Sequence, residues 1–214
     1  MAFRDVKKEL EKRSYSFEVR AESGENGSVI TGRPIVYNSR TDLYWFDEII
    51  EKGALNGADL RDVRFLVNHD VSRIPLARSR RNNGNSTMTL MTDDEGMTIR
   101  VILDTENNAE AKALYSAVQR GDISGMSFMF SIDQESWEDL ESDHPTRHVE
   151  KIGTVVEVSA VTFPAYDTTS IEARSKEALD NARSAVDTAR QRSAGSPDGD
   201  LELAKAKTQL LLKL

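Results

Sequence analysis

The sequence predicts an α+β fold that is mainly β, with flanking helices and a helical C-terminal extension. Three observations carry that expectation. Short runs rich in Val, Ile, Phe and Tyr recur between Gly, Asn and Asp clusters from residue 15 to residue 163, which is the spacing of strands and turns. One capped amphipathic stretch, Thr105–Arg120, interrupts them with helical periodicity. After Thr169 aromatic residues disappear and Ala, Arg, Asp and Glu dominate, the composition of a polar helix.

Taken in order, residues 1–13 are charged and read as helical or frayed. Tyr15–Arg20 and Val29–Tyr37 read as strands around Ser23-Gly24-Glu25-Asn26-Gly27, where Gly and Asn tolerate positive φ. Pro34 removes a donor from the second run, so an edge position or a bulge is expected there. Asp47–Leu60 reads as a loop leading into a short helix, and Val63–His69 as a strand with Phe65, Val67 and His69 on one face. Ser86–Thr92 and Met97–Leu103 flank Asp93-Asp94-Glu95-Gly96, a hairpin signal. In the Thr105–Arg120 helix, Thr105 or Asn107 offers a cap, Ala113, Leu114, Ala117 and Val118 form the apolar stripe, and Gly121 stops it. Residues 133–147 are acidic and read as irregular, apart from Trp137. Ile152–Phe163 is apolar on both faces, which marks a central strand, ended by Pro164. The organisation is thus an arm over 1–14, a core over 15–170 and a polar extension over 171–214. The extension reads as a helix over Ile171–Arg192, a Gly/Ser/Pro linker and a final Leu/Lys/Ala helix, Leu201–Leu214.

A chain of 214 residues supports one good core with an appended segment. The absence of cysteine removes disulfides, thiolate zinc sites and cysteine nucleophiles together. No run of about 18 apolar residues occurs, so no membrane-spanning helix is expected. The N-terminus lacks the apolar region of a secretory signal, and the absence of cysteine agrees with a cytosolic protein. A net charge of -8 repels phosphate backbones, and no dedicated nucleic-acid binding is expected; the Arg78, Arg80, Arg81 cluster reads as a solvated loop or else as a local patch for an acidic partner. His144 and His148 have a helical ligand spacing that Pro145 breaks, so no metal site is expected. There is no Gly-rich phosphate loop, and no cofactor is expected.

Candidate chemistry centres on Ile123-Ser124-Gly125-Met126-Ser127-Phe128-Met129-Phe130. Strand alternation puts Met126, Phe128 and Phe130 on one face and Ser127 on the other, beside Gly125. Ser127 is then either a rigidly held nucleophile or an ordinary strand serine. His69, in Asn68-His69-Asp70, is either its base or a structural histidine at a strand end. Glu157 stands inside Val155-Val156-Glu157-Val158-Ser159-Ala160-Val161, where a carboxylate is costly unless paired. Its partner is either His69 or an arginine such as Arg147 or Arg100, and His148 is a rival third member.

Several segments together resemble the prohead proteases of tailed bacteriophages, serine peptidases related in fold to the herpesvirus assemblins. They are Glu48-Ile49-Ile50-Glu51-Lys52-Gly53-Ala54-Leu55, Val67-Asn68-His69-Asp70, Gly121-Asp122-Ile123-Ser124-Gly125-Met126-Ser127-Phe128, and Glu157-Val158-Ser159-Ala160-Val161-Thr162-Phe163-Pro164-Ala165-Tyr166. They occur in the family's order and cover roughly residues 15–172. The resemblance implies an assemblin-like β-barrel core, with His69 as general base, Ser127 as nucleophile and Glu157 favoured over His148 as the third member. It implies an endopeptidase acting in the host cytoplasm, inside the procapsid. Its partners would be the major capsid protein with its scaffolding segment, and further copies of itself in a homo-oligomer. The polar extension then reads as a cleavable or assembly-directing tail. A second reading keeps the β-barrel as a catalytically silent module that guides capsid assembly. Two positions depart from the family pattern: Met129 stands where Gly often follows Met-Ser-Phe, and Leu76-Ala77-Arg78 replaces Leu-Gly-Arg.

Overall fold

The computed structural model describes residues 10–15, 19–24, 27–162 and 168–194. In chain order these form β1 (Glu11–Tyr15), β2 (Val19–Gly24), β3 (Gly27–Val36), β4 (Arg40–Asp42), β5 (Asp47–Ile50), β6 (Arg64–Val67) and β7 (Ala77–Arg78). A 3-10 turn at Arg80–Asn82 follows, then β8 (Met88–Asp93), β9 (Gly96–Leu103), α1 (Ala109–Arg120), β10 (Gly125–Glu138), β11 (Thr146–Val161) and α2 (Thr168–Ala194). The fold is α+β and mainly β. The chain divides into two compact units. One takes in the residues up to Val36, Leu55–Ile132 and the chain from Ile152; the other takes in Tyr37–Ala54, Asp133–Lys151 and α2. The long strands β10 and β11 contribute part of their length to each.

In the first unit an antiparallel sheet runs β2-β3-β9-β8. Its β8–β9 hairpin closes with Asp93 opposite Gly96. Gly96 has φ +143°, and a Cβ there would lie 2.0 Å from the Ile35 carbonyl oxygen, so the turn admits only glycine. The bulge expected at Pro34 is present: the β3–β9 register shifts between Gly32 and Ile35, and the pairing of β2 with β3 goes no further than Val19 opposite Gly32. Helix α1 buries Ala111, Leu114 and Val118 and ends at Gly121, with φ +79°. Its cap is Asn108, whose side chain accepts the Glu110 and Ala111 N–H groups. The expected caps are engaged elsewhere, because Thr105 bonds Ser28 at 2.9 Å and the Asn107 amide bonds Asp104.

Also in this unit, β1 lies antiparallel to the start of β10, with Ser14 opposite Ser127. The end of β11 runs parallel to β6, with Ala160 opposite Val67, and β7 lies antiparallel to β6. Phe65, Met126, Phe128, Phe130 and Val158 are fully buried along these strands. Residues 11–13 are therefore strand, not the helical or frayed arm that their charge suggests. Pairing with β10 outweighs local composition, and Arg13 is buried 5.7 Å above the Phe130 ring. The strand orders run from edge to edge, so the pairings among the described residues do not close the barrel that the resemblance implies.

In the second unit β4 lies antiparallel to β5, and β5 parallel to the start of β11. Leu43, Phe46 and Leu179 form its core, with Trp45, Trp137, Leu140 and Ala178 packed against them. Two sequence expectations fail here. Asp47–Ile50 is a strand followed by turns, with no short helix, because Gly53 and Gly57 take φ of 88° and 81°. The acidic stretch 133–147 is strand at both ends, β10 reaching Glu138 and β11 starting at Thr146. Its charge is accommodated by Arg147, which donates to Glu135 at 2.6 Å and to Glu48 at 3.5 Å. Among the described residues no helix is long and apolar enough to cross a membrane. The expectations for residues 1–9, for Phe163 and Pro164, and for the linker and final helix beyond residue 194 lie outside the described residues.

Candidate active site

Ser127 enters the site from β10, in the first unit, and is fully buried. Gly125 beside it is buried too, and Met126 and Phe128 anchor the strand from the opposite face, as alternation requires. Met129 is half-buried opposite Lys12.

His69 arrives by a route that strand periodicity does not reveal. β6 ends at Val67, and Asn68 and His69 both take left-handed backbone, with φ of 52° and 58°. This conformation is uncommon outside glycine, and Asn and His are among the residues that tolerate it. It turns the chain out of the strand, so His69 does not share a face with Phe65 and Val67. The turn is clamped to the end of β11. The Asn68 N–H donates to the Ala160 carbonyl at 2.9 Å, the Thr162 N–H to Asn68 Oδ1 at 2.9 Å, and Asn68 Nδ2 to Thr162 Oγ1 at 3.1 Å.

The three residues converge. His69 Nε2 lies 2.5 Å from Ser127 Oγ, and His69 Nδ1 is hydrogen-bonded to Glu157 Oε1. The Glu157 side chain is 1% exposed and that of His69 10%, so the couple is shielded from water. An ionised Glu157 only accepts, which assigns the proton to Nδ1 and leaves the Nε2 lone pair facing Ser127. Ser159 completes the frame: its Oγ donates to Glu157 Oε2 at 2.6 Å and accepts the His69 N–H at 3.0 Å. The Ser127 hydroxyl has a second acceptor, the Arg13 carbonyl of β1 at 2.7 Å.

Of the two partners considered for Glu157, the structure therefore has His69. His148 bonds Glu51 at 2.6 Å and Glu138 at 3.5 Å, and Arg147 is taken by Glu135 and Glu48.

A family model for the caudovirus prohead serine proteases matches residues 15–183. The chain belongs to that family. It is thus a prohead protease, a protein of phage capsid maturation. Among solved structures it is similar to the bacteriophage T4 capsid assembly protease gp21, with 13% identity and a TM-score of 0.45, over 73% of this chain and 98% of that one. Among curated proteins no significant match is found.

In this prohead protease two residues around the site escaped the sequence reading. Ser159 was legible in principle, since it stands two residues from Glu157 and so on the same strand face. Asn68 gave a weaker signal, as a residue type that accepts left-handed backbone next to the histidine. Ala77, one of the two departures from the family pattern, is a buried β7 residue opposite Phe65. One metal-like grouping exists among the described residues: Asp42, Asp47 and His144 bring ligand atoms within 4.8 Å of one another in the second unit. Asp42 and His144 are exposed, and exposed acidic groups of this kind are common without an ion.

Proposed function

We propose that this prohead protease is a serine endopeptidase acting through Ser127, His69 and Glu157, and that it cleaves the scaffolding segment of the major capsid protein and itself during procapsid maturation. The observation that carries the reading is the continuous hydrogen-bonded chain from Ser127 Oγ through both His69 ring nitrogens to Glu157.

The chemistry follows from that chain. The Ser127 proton turns from the Arg13 carbonyl to His69 Nε2, and the freed Oγ attacks the scissile carbonyl carbon. The oxyanion so formed calls for backbone N–H donors, and the imidazolium is stabilised by ionised Glu157. The imidazolium then gives its proton to the departing amine nitrogen as the C–N bond breaks, leaving an ester on Ser127. Water, deprotonated by His69, attacks the ester, releases the acid and returns the proton to Ser127. Burial of the couple strengthens each charge interaction relative to water. Because Ser127 is fully buried in the free protein, substrate binding must also open the way to its hydroxyl.

Within this reading the catalytic apparatus lies in residues 15–170, and the 171–214 extension is processed or directs assembly. Leu179 and Ala182 are buried, which favours cleavage beyond α2 over cleavage within it. Mass spectrometry of mature particles locates the cut, and an intact C-terminus refutes processing of the tail. Co-expression of Ser127→Ala with a capsid protein bearing its scaffolding segment tests the whole proposal. Processing is expected to stop; processing at the wild-type rate would leave only the silent scaffold module.

A further inference from the structure

A cavity of about 590 Å³ in the first unit is lined by Arg61, Arg64, Arg78, Arg80 and Arg81. Two carboxylates, Asp59 and Asp62, stand among them, so five cations less two anions leave a local charge of +3 on a chain whose net charge is -8. Val156 of β11 supplies an apolar part of the wall.

The arginines are not equivalent. Arg61 grips Asp59 with bonds of 2.8 and 2.6 Å, and Arg78 grips Asp62 at 2.5 and 2.6 Å. Arg80 bonds the Asn85 carbonyl at 2.6 Å and acts on Asp62 only through its charge, as Arg81 does on Asp59. Both are exposed. Their backbone is unusual: Arg80, Arg81 and Asn82 take φ of 42°, 61° and 51°, a run of left-handed residues that each carry a Cβ. Such a run persists only where its surroundings over-determine it. Here Asn82 exchanges two side-chain hydrogen bonds with the Leu90 backbone, at 2.9 and 3.1 Å, and Ser79 accepts the Val63 N–H at 2.9 Å. The fold thus fixes the backbone of Arg80 and Arg81 at the cavity wall while their side chains stay exposed, and solvation alone gives no reason for that strain.

We propose that this cavity is a docking site for an acidic peptide segment, whose carboxylates pair with Arg80 and Arg81 while an apolar side chain rests on Val156; Arg64 is already paired with Asp62 at 3.4 Å. A peptide fits better than a nucleic acid. Asp59 and Asp62 would face a regular phosphate backbone at close range, and the charge of -8 on the whole chain repels a long polyanion but scarcely affects a short one. β6 leads from Arg64 in the cavity to Val67, about 10 Å of strand, with His69 two residues on. A segment docked there would raise the local concentration of a chain long enough to reach Ser127, a role that rests on the protease reading, whereas the binding does not.

Fluorescence anisotropy tests the site on the full chain carrying Ser127→Ala, with a labelled dodecapeptide of alternating Glu and Leu, the same peptide with Gln for Glu, and a thymidine oligonucleotide of equal charge. The Glu peptide is expected to bind, the Gln peptide not, and Arg80→Gln with Arg81→Gln to weaken binding about tenfold. Arg81→Lys is expected to recover part of the loss, and added salt to weaken wild-type binding. Equal binding of the Glu and Gln peptides, indifference to the arginine changes or to salt, or tighter binding of the oligonucleotide would each overturn the proposal. If the peptide binds but Ser127 proves dispensable for processing, the protease reading fails alone.

Discussion

Replacing Ser159 by alanine isolates the part of the site that positions without reacting. Its hydroxyl makes two bonds, 2.6 Å to Glu157 Oε2 and 3.0 Å from the His69 N–H, and its residue is fully buried. Alanine leaves both partners in place and neither served. An orphaned buried group costs ~1–3 kcal/mol, so two give ~2–6 kcal/mol if no water enters the gap. Only the part that lets the imidazole drift from Ser127 Oγ appears in the rate. At ~1.4–2.8 kcal/mol of lost transition-state stabilisation, kcat falls ~10–100-fold. KM should stay near the wild-type value, since Ser159 lies behind the couple. The assay is steady-state cleavage of a peptide spanning the scaffold junction, run beside a thermal melt. Ser159→Thr, which keeps the hydroxyl, should recover much of kcat despite crowding from its methyl group. A Ser159→Ala enzyme that melts earlier but turns over at the wild-type rate would refute the positioning role.

Other consequences are equally measurable. Glu157→Gln, which loses the ionised acceptor that sets the His69 tautomer, should lower kcat by ~10³–10⁴-fold, while His148→Ala, engaged by Glu51 and Glu138, should leave kcat near wild type; the reverse ranking would move the third member to His148. Gly96→Ala drives a Cβ to 2.0 Å from the Ile35 oxygen and should cost ~3 kcal/mol or more, read as a lower denaturant midpoint. Asp59 is held at about 2, below its ordinary 3.8, chiefly by its hydrogen bond from Arg61. A depressed carboxylate stabilises the fold above its unfolded value and loses that contribution as pH falls through the folded one, here between about pH 4 and pH 2. Asp59→Asn should therefore flatten the acid limb of stability in urea melts, and an unchanged limb would show that the ion pair contributes nothing.

Much of the fold was legible because its signals are local. The Asp93–Gly96 hairpin, the Pro34 bulge and the Gly121 helix stop each depend on what one or two residues allow the backbone to do. The errors share a cause in the opposite direction. Residues 11–13 and 133–138 carry charges that argue against strand, yet both are strand because a partner elsewhere takes the charge or the ladder. Arg147 is twelve residues from Glu135, and β1 meets β10 more than a hundred residues away in the chain. Local pattern carries no record of such partners.

The site divides along the same line. The residue types were readable: a serine on the face opposite Met126 and Phe128, and a carboxylate too costly for Glu157's strand unless paired. Their meeting was not, for it depends on the parallel register of β6 and β11. With Val67 opposite Ala160, the residues after Val67 come level with the end of β11. A continued strand would carry His69 past Glu157. The left-handed pair Asn68 and His69 instead turns the chain back, so that the His69 N–H meets Ser159 and its ring meets Glu157, 88 residues on. Aspartate or glycine in place of Asn68 would keep the left-handed turn but lose one or both of the side-chain bonds that tie it to Thr162. The backbone conformation that hid the base from a strand reading is therefore the feature that brings it to the nucleophile.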